Sequence, residues 1–151
     1  MTLEESGQKG MQSAGVIYSF KFRWIEDIQS GRIGVFFRKK WPAVKPNKVF
    51  ICAGAPASSI VSVAEVERMK DVDLDRAFEL ADLGRISNEE LKSYIGPNRR
   101  VKDIFLYNHQ LLQKPLGINE LRKIFSFHPP QSFVRISREI EKKILEASIE
   151  K

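Results

Sequence analysis

Segments rich in β-branched and aromatic residues crowd the first half of this chain, and they constrain its fold more than any other feature. Their composition predicts strands at residues 16–22, 33–38, 49–53 and 60–66. A single short helical pattern interrupts them: Trp24, Ile25 and Ile28 lie three and four apart, and Gly31 follows as the stop signal. These strands are short and mostly adjacent, which is typical of a small barrel or a strongly bent mixed sheet.

Helical signals follow this strand-rich half. Asp73 and Ser87 each begin a predicted helix, and Ser87 opens a capping-box pattern. The remaining predicted elements are a strand at 104–107, a helix at 118–125, a short strand at 133–136 and a terminal helix at 137–149. Residues 1–15 are predicted to form a flexible tail, and residues 16–151 a single domain. The sequence therefore predicts an α+β fold, a small mixed β-barrel with inserted and flanking helices.

The composition of the chain excludes several classes of protein. One cysteine, Cys52, among 151 residues rules out an internal disulfide framework, and two distant histidines show no metal-ligand spacing. We therefore expect no metal site and no cofactor. Cys52 lies in an apolar strand and is expected to be a buried, unreactive thiol. The apolar runs are shorter than a membrane span and residues 1–15 lack the apolar core of a secretory signal, so we expect a cytoplasmic protein.

Charge is segregated along the chain, whose formal net charge is +6. Basic residues predominate from Lys21 to Lys48, and acidic residues predominate from Glu65 to Glu90. Such segregation indicates one electropositive face, for which a polyanion such as nucleic acid is a natural partner. The alternative is that the basic residues form only the solvated side of a sheet.

The segment from Arg38 to Pro42 is the most informative for function. Arg38, Lys39 and Lys40 stand beside Trp41 at the end of a predicted strand. Lysine and arginine bind phosphates, and an indole offers a stacking face to an unpaired base. Trp41 is equally well interpreted as a core residue that plugs one end of a barrel.

A motif near the C-terminus resembles a known family. Residues 127–135, Phe-His-Pro-Pro-Gln-Ser-Phe-Val-Arg, are similar to the closing motif of small PUA-like proteins of the ASCH superfamily. The order of predicted elements and the Lys114-Pro115-Leu116 step before a helix agree, and the resemblance covers roughly residues 16–137. It implies a PUA-like β-barrel that binds RNA in a cleft, while a few relatives hydrolyse modified nucleosides or RNA.

The chain departs from the family where the hydrolases carry their catalytic groups. Ser30, Gly31 and Arg38 match the family pattern, but the position of the family lysine is Ile33 and that of the Glu or Thr is Phe36. An ammonium and its polar partner are thus both replaced by hydrocarbon. The resemblance therefore implies binding without the hydrolytic chemistry.

These observations combine into one hypothesis: a non-catalytic nucleic-acid-binding module, with RNA as its expected ligand and transcription or translation regulation as its expected role. The predicted contacts are Arg38, Lys39, Lys40, Trp41, Ser58, Ser59, Gln131, Ser132 and Arg135. Two alternatives stay open at this point. One is a hydrolase acting on a modified nucleoside or RNA, and the other is an adaptor that binds an acidic protein.

Overall fold

The computed structural model describes residues 15–40, 42, 45–55, 57–98, 100–128 and 133–149. The predicted tail lies outside these residues except for Gly15. The strands are β1 (Val16–Phe20), β2 (Val35–Arg38), β3 (Lys48–Ala53), β4 (Ser59–Asp73), β5 (Arg100–Gly117) and β6 (Phe133–Arg135). The α-helices are α1 (Ile25–Gln29), α2 (Leu74–Leu80), α3 (Asn88–Ile95), α4 (Ile118–Arg122) and α5 (Arg138–Ala147). This element order confirms the predicted α+β class.

The described strands form one six-stranded sheet in the order β2-β5-β4-β3-β1-β6. β1 and β3 are parallel, and the other neighbours are antiparallel. The long β4–β5 ladder changes register three times. Because such irregularities bend strands and increase their twist, the sheet curls into a half-barrel.

The interior of the half-barrel is aromatic and aliphatic. Its core cluster takes residues from β1 to β5, including Tyr18, Phe36, Ile51 and Ile104. A second cluster, around Phe50 and Ile144, packs β3 and β4 against α4 and α5. A third, around Leu91, packs the far ends of β4 and β5 under α2 and α3. The inserted helices α2 and α3 therefore lie beside β2, which is an edge strand of the sheet.

The helix starts follow the predicted capping residues. The side-chain oxygens of Asp73, Ser87 and Ser137 accept hydrogen bonds from backbone N–H groups three residues ahead, at 2.9, 3.1 and 3.1 Å. These contacts satisfy amides that have no partner inside the helix.

Strand lengths differ from the prediction. β4 extends seven residues beyond the predicted end at residue 66, and β5 starts four residues earlier than predicted. The added residues of both strands are largely charged and show no regular apolar alternation. Opposite charges pair across the ladder: Arg68 with Asp103 at 2.8 Å and Arg100 with Asp71 at 3.4 Å. Cross-strand ion pairs of this kind stabilise a ladder that a hydrophobic pattern does not reveal.

Other sequence-based expectations concern reactivity and membrane insertion. Cys52 is buried, as predicted, and burial raises the pKa of its thiol. The described residues include no cluster of three or more His, Cys, Asp or Glu side chains suited to a metal ion. Among them, no helix combines the length and apolar character that crossing a bilayer requires.

Candidate functional site

A cleft of about 1110 Å³ opens between the ends of β1 and β2 and the inserted helix α3. Its wall combines aromatic and aliphatic side chains with a basic rim. The charged side chains on it are Lys21, Arg23, Arg38, Lys39, Lys40, Glu89 and Glu90. The wall is therefore net positive, with an acidic minority on α3.

Aromatic rings join β1 to β2 across the interior, although the two strands are not neighbours in the sheet. The ring centroids of Phe20 and Phe36 are 5.0 Å apart, and those of Tyr18 and Phe36 are 5.8 Å apart, both edge-on. Residues two apart in a strand share a face, so Tyr18 and Phe20 point together, as do Phe36 and Arg38. The alternation in the sequence thus places Arg38 beside the rings.

Arg38 is held by these rings and by backbone carbonyls. Its guanidinium carbon lies 4.7, 5.1 and 5.4 Å from the ring centroids of Phe20, Phe36 and Tyr18. It donates to the carbonyl oxygens of Phe37 at 2.9 Å and Ser19 at 3.4 Å. Burial lowers the pKa of Arg38, while the neighbouring Tyr94 and Tyr18 raise it. An arginine nevertheless stays charged in a protein.

The charge of Arg38 has no carboxylate beside it within the described part of the chain. The ion pairs found there involve other arginines and lysines. A cation removed from water without a counter-charge is costly, and π faces and two carbonyls offset only part of that cost. The cleft wall therefore holds a fixed cation whose charge is not neutralised by a carboxylate of the described residues.

Two tyrosines position the lysines that follow Arg38. The Tyr18 hydroxyl donates to the Lys40 carbonyl at 2.5 Å, and burial raises the pKa of that hydroxyl far above its ordinary value. The Lys39 backbone N–H donates to the Tyr94 hydroxyl at 3.1 Å, and the Lys39 Nζ lies 4.9 Å from the Tyr94 ring centroid. The backbone is fixed while both ammonium-bearing side chains remain exposed.

The mouth of the cleft is crossed by an ion pair. Nη2 of Arg23 lies 2.5 Å from Oε2 of Glu90, in the first turn of α3. The Arg23 guanidinium carbon also lies 4.2 Å from the Trp24 ring centroid. Both members of the pair are about half exposed, at 57% and 46% of their side-chain surface. The pair thus links the two sides of the cleft at its solvent edge.

The fold has clear counterparts among solved structures, although neither a protein-family model nor a curated protein matches the sequence. An ASCH protein from Zymomonas mobilis superposes with a TM-score of 0.82 at 22% identity, over 88% of this chain and 94% of that one. A mutant of it gives 0.83 at 21%, over 90% and 97%. This chain has the ASCH fold.

More distant structures share the PUA-like architecture. Human THYN1 in complex with 5-methylcytosine-containing DNA gives a TM-score of 0.57 at 10% identity, over 92% of this chain and 99% of that one. The N-terminal domain of Staphylothermus marinus McrB gives 0.58 at 11%, over 89% and 94%. The ASCH and PUA-like resemblance drawn from the sequence is thereby confirmed at the level of the fold.

Two positions of the ASCH fold bear directly on chemistry. Ile33 and Phe36, which stand where the resemblance implies a catalytic lysine and its polar partner, both line the cleft. They are buried, at 6% and 7% exposure. Hydrocarbon therefore occupies the part of the cleft where the resemblance implies the ionisable groups of a hydrolase.

The predicted contact residues fall into three groups in this structure. Arg38, Lys39 and Lys40 come together on the cleft wall. Trp41, Gln131 and Ser132 lie outside the described residues. Ser58, Ser59 and Arg135 are described but do not line the cleft. Ser58 has a φ of 44°, Ser59 pairs with Ala53 at the start of β4, and Arg135 is exposed on β6. Any role of the last two groups in binding stays a prediction.

Sequence reasoning missed several cleft residues. Trp24 was used only as part of a helical pattern, and neither Phe20 nor Tyr94 was singled out. The period-two pairing of Phe36 with Arg38 was the available signal, since it placed a cation and an aromatic ring on one strand face. The contribution of Arg23 had no such signal, because its partner Glu90 is 67 residues away.

Proposed function

We propose that this protein binds nucleic acid in the cleft, that its ligand is RNA, and that it holds the ligand without changing it. The observation that carries the proposal is the environment of Arg38. Its guanidinium is partly buried and fixed among three rings, and it forms no ion pair with a carboxylate of the described residues. A phosphate oxygen of a ligand would supply the missing counter-charge through charge-assisted hydrogen bonds. Its fixed orientation limits the entropy lost on binding.

The rim supports a ligand that carries several phosphates. Lys21, Lys39 and Lys40 surround the cleft and take no part in the ion pairs of the described residues. A strand with successive phosphates satisfies several of these cations at once. A single small anion does not.

Aromatic surface in the same cleft supports a ligand with bases. Trp24 and Tyr94, both partly exposed, line it. Stacking of one base on such a ring is worth about 1–3 kcal/mol and does not depend on sequence. Planar guanidinium groups also stack on unpaired bases, which RNA loops and single strands present. The complex of the distant PUA-like neighbour THYN1 with 5-methylcytosine-containing DNA adds support for a nucleic acid of some kind.

The lack of chemistry is inferred from Ile33 and Phe36. General acid–base catalysis needs ionisable groups within hydrogen-bond reach of the reacting atoms. Those two positions offer only hydrocarbon, and the nearby Glu90 is engaged by Arg23. A hydrolase would have to use a different set of groups in the same cleft.

Fluorescence anisotropy with labelled single-stranded RNA, single-stranded DNA and duplexes of both kinds tests the proposal. We expect single-stranded RNA to bind most tightly. With three or four phosphate contacts, log K should fall with log salt with a slope of about −2 to −3 on single strands. Affinity that does not respond to salt would refute the proposal. Turnover of an acylated nucleoside by the same preparation would instead establish the hydrolase alternative.

A further inference from the structure

The ion pair between Arg23 and Glu90 at the mouth of the cleft would compete with an anionic ligand. Arg23 lies in the short 3₁₀ turn Phe22–Trp24 that follows β1, and Glu90 lies in the first turn of α3, so a contact between them spans the entrance. The carboxylate approaches the same guanidinium edge that a phosphate would use. Carboxylate and phosphate are competing acceptors for one set of arginine donors.

Arg23 is also oriented before any ligand arrives. Its guanidinium lies over Trp24 with 4.2 Å between the guanidinium carbon and the ring centroid. Stacking on one face leaves the edge and the other face of the guanidinium available for contact. Arg23 therefore has the geometry of a phosphate contact, but Glu90 occupies one of its donors at 2.5 Å.

We propose that Glu90 limits the affinity of the cleft by competing with the ligand phosphate for Arg23, an inference that rests on the proposed binding of nucleic acid. Displacing an exposed carboxylate reduces affinity by roughly two- to fivefold. Only a ligand that brings a phosphate to Arg23 pays this cost, and an anion that binds Arg38 alone does not. Glu90 thus lowers the affinity for strands that reach the mouth of the cleft.

The Glu90→Gln variant tests the competition, because glutamine keeps the size of the side chain and removes its charge. We expect single-stranded RNA to bind about two- to fivefold more tightly, and the slope of log K against log salt to steepen by about 0.7 as Arg23 becomes a full phosphate contact. Glu79→Gln is the matched control. It removes the same charge from the Arg76–Glu79 pair on α2, 2.8 Å in length and away from the cleft, so its slope should equal that of the wild type.

A double-mutant cycle with Arg23→Gln provides the second measurement. We expect Arg23→Gln to weaken RNA binding more in the Glu90→Gln background than in the wild type, because Arg23 is then free to contact phosphate. Equal effects in both backgrounds, or equal gains from Glu90→Gln and Glu79→Gln, would overturn the role of Glu90 while leaving RNA binding by the wild type intact. Absence of salt-dependent binding by the wild type would refute the proposed function and this inference together.

Discussion

Replacing Arg38 by methionine separates the binding role of this residue from its structural role. Methionine keeps an unbranched, flexible side chain among Tyr18, Phe20 and Phe36 but removes the charge and the donors. Two opposing terms decide the stability of the variant. Contacts of the cation with three rings contribute about 0.5–2 kcal/mol each. Removing an ion from water costs several kcal/mol. We therefore expect the free energy of unfolding to change by less than about 1 kcal/mol, and Tm by less than about 2–4 °C.

The effect on binding should be much larger. A hydrogen bond to a charged group is worth about 1.5–3 kcal/mol, so losing the contact between Arg38 and a phosphate should weaken RNA binding by about ten- to a hundredfold. The salt slope should become shallower by about 0.7. Arg76→Met is the control, since it removes an exposed arginine on α2 that is paired with Glu79. Anisotropy measures the binding and urea unfolding the stability. Unchanged RNA affinity in Arg38→Met would show that this guanidinium only ties β2 to β1.

Three further predictions address the rim, the helix caps and the dependence on pH. Lys40→Gln should weaken RNA binding and lower the salt slope by about 0.7, whereas Lys142→Gln, on the exposed side of α5, should leave the slope unchanged; anisotropy titrations in several salt concentrations distinguish them. Ser137→Ala should lower the free energy of unfolding in urea by about 1 kcal/mol, because it removes the α5 cap. The control is Ser126→Ala, which changes an exposed serine that caps none of the described helices, and a similar loss there would contradict the assignment. Burial lowers the pKa of His109, whose Nδ1 is buried with no hydrogen-bond partner among the described residues. In the unfolded chain this imidazole therefore takes up a proton at a higher pH than in the folded protein. The free energy of unfolding consequently decreases as pH falls below about 6.5. His109→Gln should reduce the drop in Tm between about pH 7.5 and 5.5, and an undiminished drop would assign it to other groups.

Local chemistry was sufficient to predict much of the fold. The caps at Asp73, Ser87 and Ser137 are visible in the sequence because each satisfies amides only three residues away. The extension of β4 past residue 66 was not visible. It contains cross-strand ion pairs such as Arg68–Asp103, whose members are 35 residues apart. A pattern of alternating apolar residues carries no information about such pairs.

The candidate site was likewise predicted from the sequence only in part. The basic segment at Arg38, Lys39 and Lys40 was predicted from composition, and the structure places all three on one cleft. What sequence reasoning missed is the other side of that cleft. Tyr94 and Glu90 reach it from the inserted helix α3, whose position is decided by packing of Leu91 and Ile95 against the outer face of the sheet. Tertiary packing, not local pattern, brings these side chains to the rings of β1 and β2.

The curl of the sheet explains how a binding site and an unbalanced charge arise together. β1 and β2 are separated by three strands in the sheet, so no backbone ladder joins them. Their junction is made instead by side chains: three rings, the Arg38 guanidinium and the Tyr18 hydroxyl. A carboxylate in this junction would neutralise Arg38 and strengthen the closure, but it would also remove the cleft's main attraction for phosphate. Closing the half-barrel with π faces and carbonyls stabilises the cation while leaving its net charge available to a ligand.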